Sequence, residues 1–274
     1  MRLETVPVLE LTSRPTSTRH WFRSIVDHRE VLVALAEKDF KVRYKRATFG
    51  VLWAVALPLL QALVMIIVFT QLRADRGADF DYAGYVLSGM VAWAYVAATL
   101  LSATTAIVEG AGLTDKVWFP RALLALAPVI ANLVGLAISL GIVIVVQLIR
   151  GGLGTDLLML APATVLLVGL VTSLSLAGSA LYVWFRDVRF IVQAGLLILF
   201  YATPILYEVS LLGRWAPLAR ANPFTGAINL FQRSVVGTPI DGAAVVVSVG
   251  TAVLAGVVAV ELHRRNDRLF VDLL

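Results

Sequence analysis

Long uncharged apolar runs alternate along this chain with short polar segments. Stretches free of charge and long enough to cross a bilayer as helices, about 20 residues each, fall at 51–72, 82–108, 122–149, 157–185, 190–207 and 243–260. The pattern predicts six membrane-spanning helices, the last two near the lower length limit. Ahead of the first run, WFRSIVDHREVLVALAEKDF sets Phe22, Ile25, Val26, Leu32, Val33, Ala36 and Phe40 near helical spacing, with Arg29 interrupting the stripe. Such a segment reads as an amphipathic helix lying in the membrane interface; a small soluble helix pair is the plainer alternative. Between the fifth and sixth runs, PLARANPFTGAINLFQRSVVG turns at Asn222-Pro223 and continues half apolar, too short to span. Short outer re-entrant helices fit this stretch, as does an ordinary loop helix.

Composition strengthens the membrane reading. The 274 residues are 59% hydrophobic and 15% charged, with a mean hydropathy of +0.86. Soluble domains are about 45–50% apolar and about 25% charged, and one core of this length cannot hide the excess. The expected organisation is an all-α integral membrane protein: a cytoplasmic N-terminal segment, 1–50, carrying the interface helix, then a six-span domain, 51–274.

Charge orients it. Six spans place both termini on one side, and of the 23 lysines and arginines only Arg73, Arg76, Arg150, Arg214, Arg220 and Arg233 fall on the other. Cytoplasmic loops hold the positive excess, so the chain is expected N-in and C-in. The same rule accounts for the basic pI near 9.7 without nucleic acid.

The chemistry is notable for what is missing. No G-x-x-x-x-G-K-[ST] loop occurs, so ATP is not held by a P-loop in this chain. The six spans contain no Asp, Glu, Lys, Arg or His, which speaks against a proton-coupled carrier. There is no cysteine, no histidine pair at metal-ligand spacing, and no carboxylate pair at depth. Neither a catalytic residue, a metal site nor a bound cofactor is expected, so energy should arrive through a cytoplasmic partner. Three cytoplasmic segments are placed to receive it. One is the basic run Lys38, Asp39, Lys41, Arg43, Tyr44, Lys45 and Arg46 at the mouth of the first span. The second is DKVWFPRALL, with Asp115, Lys116, Trp118, Phe119, Pro120 and Arg121. The third is the turn FRDVRF, where Asp187 can pair with a neighbour such as Arg186. A lipid-binding anchor and plain inter-helix turns are the simpler alternatives.

Taken together these segments resemble the membrane subunit of the ABC-2 type polysaccharide exporters, the permeases of O-antigen, capsule, teichoic acid and mycobacterial galactan export. The family's first-span signature stands here as KDFKVRYKRATFGVLWAVALP, with Lys38 in place of the usual arginine. Its second is KVWFPRALLAL, its third FRDVRFIV followed by ATPILY, its fourth ANPFTGAINLFQR. They run in order from Lys38 to Arg233.

The resemblance implies a homodimer of this chain bound to two copies of a separate ABC ATPase, which would hold the ATP and Mg2+. It implies that residues 112–121 form a coupling helix docked on that ATPase, Trp118 and Phe119 anchoring it and Asp115, Lys116 and Arg121 making polar contacts. The basic run and interface helix would form the cytoplasmic gate where a polyprenyl-linked polysaccharide enters from the bilayer. Sugars stack on aromatic faces, and Tyr82, Tyr85 and Trp93 share a helical stripe, with Tyr201 and Tyr207 as further candidates for the path; an outer aromatic belt is the simpler reading. Export of a drug or small lipid through the same fold, and a membrane-bound polyprenyl-phosphate enzyme, are the competing functions.

Overall fold

A computed structural model describes residues 17–45, 47–72, 81–114, 118–149 and 154–266. Every regular element among these residues is helical. Helix α1 (Thr18–Asp27) starts at Ser17, whose hydroxyl accepts a hydrogen bond from the His20 amide at 3.3 Å. It stops at His28, where φ −100° and ψ 23° break the chain before α2 (Arg29–Tyr44). The His28 ring Nδ1 donates to the Ser24 carbonyl at 2.7 Å, occupying an acceptor the broken helix leaves over. The continuous interface helix expected from the sequence is thus a helix pair. Its apolar stripe divides: Ala36 is buried and Ile25, Leu32 and Phe40 half-buried, while Phe22, Val26 and Val33 stay exposed; Trp21, outside the predicted stripe, is buried.

A 3-10 turn at Gly50–Leu52 leads into α3 (Trp53–Leu72). Gly50 sits at φ +51° with open space around it. The left-handed backbone there, not crowding, is what calls for glycine.

Next come α4 (Tyr82–Glu109), α5 (Ala111–Thr114), α6 (Ala122–Ile149) and α7 (Leu160–Trp184). Asp81 caps α4, its carboxylate accepting from the Gly84 amide at 2.9 Å. Then follow α8 (Val188–Ala202), a 3-10 segment at Val209–Trp215, α9 (Ala216–Ala221), α10 (Thr225–Val236) and α11 (Gly242–Asn266).

Five of these helices, α3, α4, α6, α7 and α11, are long and apolar enough to cross a membrane. The predicted fifth span, 190–207, departs from expectation. Its helix is α8, with 15 residues and a length of about 22 Å, short of the roughly 30 Å hydrocarbon layer. The cause is Pro204, which disfavours helical geometry in the residue before it. Thr203 accordingly adopts φ −89° and ψ 135°, and residues 203–208 leave the helix.

Helix α4 is the centre of the bundle: 61% of its most apolar stretch is buried, against 17% for α3 and for α11. Toward its N-terminal end, Val86, Met90, Val96 and Leu100 pack with Leu167, Val171, Ile205, Phe224, Ile228 and Phe231. Toward its C-terminal end, Ile107 packs with Phe119, Leu123, Leu176, Ala180, Ala259 and Trp21. Around this core α3, α8 and α11 turn Leu57, Leu60, Val64, Ile191, Leu197, Val246, Val253 and Val257 outward. So much exposed apolar surface is sustained where lipid is the solvent. The chain is a multi-pass membrane protein.

Helices α10 and α11 meet at backbone distance. A Cβ on Gly226 would lie 2.3 Å from the Ala244 carbonyl oxygen, so only glycine allows the contact.

Candidate functional site

At the end of the bundle that carries α1 and α2, the basic run is folded into a wall. Lys38, Asp39, Val42 and Arg43 of α2 line a pocket of about 430 Å³ with Ser102, Ala106, Glu109, Leu113, Leu124 and Pro128. Arg43 donates to the Asn132 side-chain oxygen, and Asn132 donates in turn to the Ser102 hydroxyl at 3.5 Å. This ties α2 through α6 to α4. Burial pushes the Asp39 carboxyl above its ordinary pKa and Glu109 adds to this, against the pull of Lys38 and Arg43. Lys41 points elsewhere, paired with Glu37 at 2.5 Å on the exposed face. Lys45 and Tyr44 border a second groove on that face, where the Tyr44 ring lies 5.2 Å from Phe40. The helical period therefore splits the run, with Asp39 and Arg43 at the inner pocket, Lys41, Tyr44 and Lys45 at the outer groove, and Lys38 bordering both. Arg46 lies outside the described residues.

The segment expected to dock a partner borders the same pocket. Of the helix expected over 112–121, the described residues up to Thr114 are helical, in α5, and Trp118–Pro120 is irregular on the approach to α6. Asp115 and Lys116 lie outside the described residues. Trp118 is 68% exposed, while Phe119 and Arg121 are each 4% exposed and Pro120 is buried. Of the described residues that the resemblance implies as partner contacts, Trp118 is thus the exposed one, while Phe119, the second aromatic, and Arg121, the polar contact, are buried in this chain. Phe119 turns inward to fill the space among α1, α4, α7 and α11, where its removal would leave that end of the core unpacked. Trp118 remains as the outward aromatic, its ring held edge-on against His28 with centroids 5.7 Å apart.

The third segment is an exposed turn. Arg186 lies over the Tyr182 ring, 5.3 Å from its centroid. The expected ion pair of Asp187 does not form among the described residues; its backbone carbonyl instead accepts from Phe190 and Ile191 as α8 starts. Among the described residues, no three His, Asp or Glu side chains converge where a metal ion could sit.

At the opposite end, the aromatic stripe is put to another use. Tyr85 and Trp93 are buried, and Tyr82 is half-buried. The Tyr82 hydroxyl donates to the Leu206 carbonyl at 2.9 Å. The Tyr85 hydroxyl lies 3.0 Å from the Pro204 carbonyl and 2.8 Å from that of Tyr207. Trp93 packs between Phe200 and Phe224. Neither an open sugar path nor an aromatic belt describes these three; they satisfy and cover the backbone freed where α8 ends at Pro204. Tyr207 donates to the Tyr201 carbonyl at 2.8 Å, and Tyr201 is exposed.

Sequence reasoning missed the residues that complete this arrangement. Gln232, fully buried on α10, donates to the Pro204 carbonyl at 2.8 Å, and Asn222 donates to the Thr203 hydroxyl at 2.8 Å. Arg220 pairs with Asp241 at 2.7 Å and Arg233 with Asp156 at 2.6 Å. The signal available was Pro204 itself: a helix broken inside an apolar run needs polar side chains to meet its carbonyls, and ANPFTGAINLFQR is where they stand.

Residues 30–235 match the family described as ABC-2 type transporter. Over 189 residues the chain is 30% identical to the O-antigen export system permease protein RfbA of Myxococcus xanthus, covering 69% of this chain and 72% of that protein. It is 26% identical over 250 residues to an O-antigen export system permease protein RfbA of Klebsiella pneumoniae, covering 89% of this chain and 95% of that one. A shorter match, 32% over 72 residues, joins it to the capsule polysaccharide export inner-membrane protein CtrC of Neisseria meningitidis serogroup B, with 26% of this chain and 27% of that one covered.

Proposed function

The chain belongs to the ABC-2 type transporter family, as a permease of the polysaccharide-export kind, and from that premise we propose the rest of its working cycle. Two copies of the chain assemble with two copies of a separate ABC ATPase. ATP hydrolysed on that partner drives a polyprenyl-linked polysaccharide from the cytoplasmic face across the bacterial inner membrane. Both termini are cytoplasmic, and α8 crosses the bilayer together with the irregular segment 203–208. The outer pair α9 and α10 re-enters the protein from the far side, beside the backbone that is freed where α8 ends and met by Tyr82, Tyr85 and Gln232. The pocket between α2, α4 and α6 is the access mouth, with Lys38 and Arg43 facing the anionic part of the lipid carrier.

One observation carries the docking assignment: Trp118 projects from the chain while its neighbours Phe119–Arg121 are buried at the start of α6. A large aromatic fixed on a rigid base is what an interface centre needs. A force applied to Trp118 reaches α6 through Phe119 and reaches the α1–α2 joint through His28. The test is co-purification of the ATPase with Trp118→Ala. Loss of the partner from a folded permease supports the assignment, and wild-type recovery refutes it.

A further inference from the structure

The end of the bundle opposite the access mouth contains a second pocket, of about 640 Å³, that the export reading leaves without a task. It is bounded by Tyr85, Glu208, Ser210, Arg220, Asn229 and Asp241. The volume falls among small-ligand sites, which run about 300–1,000 Å³. Its walls are held by their own bonds. Asn229 accepts from the Asp241 amide at 2.8 Å and donates to the Pro239 carbonyl at 3.2 Å, and Arg220 is engaged by Asp241 at 2.7 Å. The pocket is therefore shaped before any ligand arrives, which lowers the ordering cost of binding.

The polar groups also narrow the ligand. Among the described lining residues Arg220 is the one cation, and its guanidinium is already paired with Asp241 at 2.7 Å, so a phosphate or other anion finds no uncommitted positive charge among them. The Ser210 hydroxyl donates to the Glu208 carboxylate at 3.1 Å, giving a hydroxyl-carboxylate pair on the wall. Carboxylate, amide, guanidinium and hydroxyl groups at short spacing match a ligand that offers both donors and acceptors without charge.

We infer that this pocket is a saccharide-binding site, taking a neutral, hydroxyl-rich sugar unit of one or two rings on the side where the exported polymer leaves. The inference rests on the polysaccharide-export reading for the source of its ligand, but not on the coupling assignment. A sugar held here, away from the access mouth, would bias an emerging chain against sliding back.

The experiment uses the full chain in lipid nanodiscs without ATPase. Saturation-transfer NMR is read on a set of neutral disaccharides (maltose, cellobiose and a galactose disaccharide) and on glucose 6-phosphate. The wild-type chain is expected to bind at least one neutral disaccharide, and at least tenfold more tightly than the phosphate sugar. Ser210→Trp, which places bulk at an exposed rim position, is expected to weaken that binding at least tenfold. Trp118→Ala is expected to leave it unchanged, so a failed coupling assignment would not register here. No transfer to any neutral sugar, equal binding by Ser210→Trp, or preference for the phosphate sugar overturns the inference.

Discussion

The His28 imidazole stands edge-on to the Trp118 indole, with centroids 5.7 Å apart and planes at 71°. The joint between α1 and α2 thus rests on the one described aromatic of the proposed docking segment that faces outward. Such a pair contributes about 0.5–1.5 kcal/mol, while an interface anchor contributes about 2 kcal/mol or more. His28→Ala should therefore keep most ATPase in pull-downs, and Trp118→Ala should lower affinity about thirtyfold. Equal loss in the two variants would mean that His28, not Trp118 alone, is the contact.

Phe119 is expected to behave as a core residue. Phe119→Ala should cost about 3–5 kcal/mol and lower the melting temperature of the solubilised protein, while the fraction that remains folded still captures ATPase. A variant with unchanged melting and lost capture would return Phe119 to the interface.

The Tyr85 hydroxyl serves two carbonyls of the broken helix. Tyr85→Phe leaves the Pro204 oxygen with Gln232 but removes a donor from Tyr207, a loss of about 1–3 kcal/mol for a buried acceptor. Amide exchange should accelerate in residues 203–208 more than in α4. Uniform exchange across both would contradict the role given to Tyr85.

Two glycines offer a matched comparison. Gly226→Ala forces α10 away from α11 and should destabilise by about 1–3 kcal/mol, whereas Gly112→Ala meets nothing within 4 Å and should be close to neutral. Thermal unfolding of the two variants in the same lipid decides it; a neutral Gly226→Ala would contradict the packing.

The Arg220–Asp241 pair has a pH signature. Burial works to raise the Asp241 pKa, but hydrogen bonds from Arg220 and the Ala244 amide outweigh it, leaving the group below its ordinary 3.8. A carboxylate lowered in the folded state contributes stability above pH 3.8 and loses it as pH falls through the lowered value. Asp241→Asn should melt below wild type at pH 7, with the gap closing below pH 3.8. A gap independent of pH would assign the effect to packing alone.

Much of this fold was legible because apolar runs of bilayer length admit few alternatives. The break at Thr203 was legible too, in Pro204, but its consequence was not: which tyrosines turn toward freed carbonyls depends on how α4 and α10 are placed. Nothing in the sequence marks His28 as a joint, since it is neither glycine nor proline. Trp118 and Phe119 are adjacent aromatics of similar character, and only the packed end of the bundle separates the one that faces out from the one that fills the core. The basic run read as one feature because its division between pocket and groove is a property of the helix, not of the composition.

The central claim is that the Trp118 loop faces the cytoplasm and is covered by a separate ATPase. The chain has no cysteine, so Gly112→Cys, at an exposed site with open space around it, introduces a single thiol on that loop. Maleimide labelling should occur in inside-out vesicles and not in right-side-out ones, and co-expressed ATPase should suppress it at least fivefold. Ser210→Cys, at the other end of the bundle, should label with the opposite sidedness. Labelling of Gly112→Cys from the outer face, or full labelling within an intact complex with the ATPase, would contradict the account.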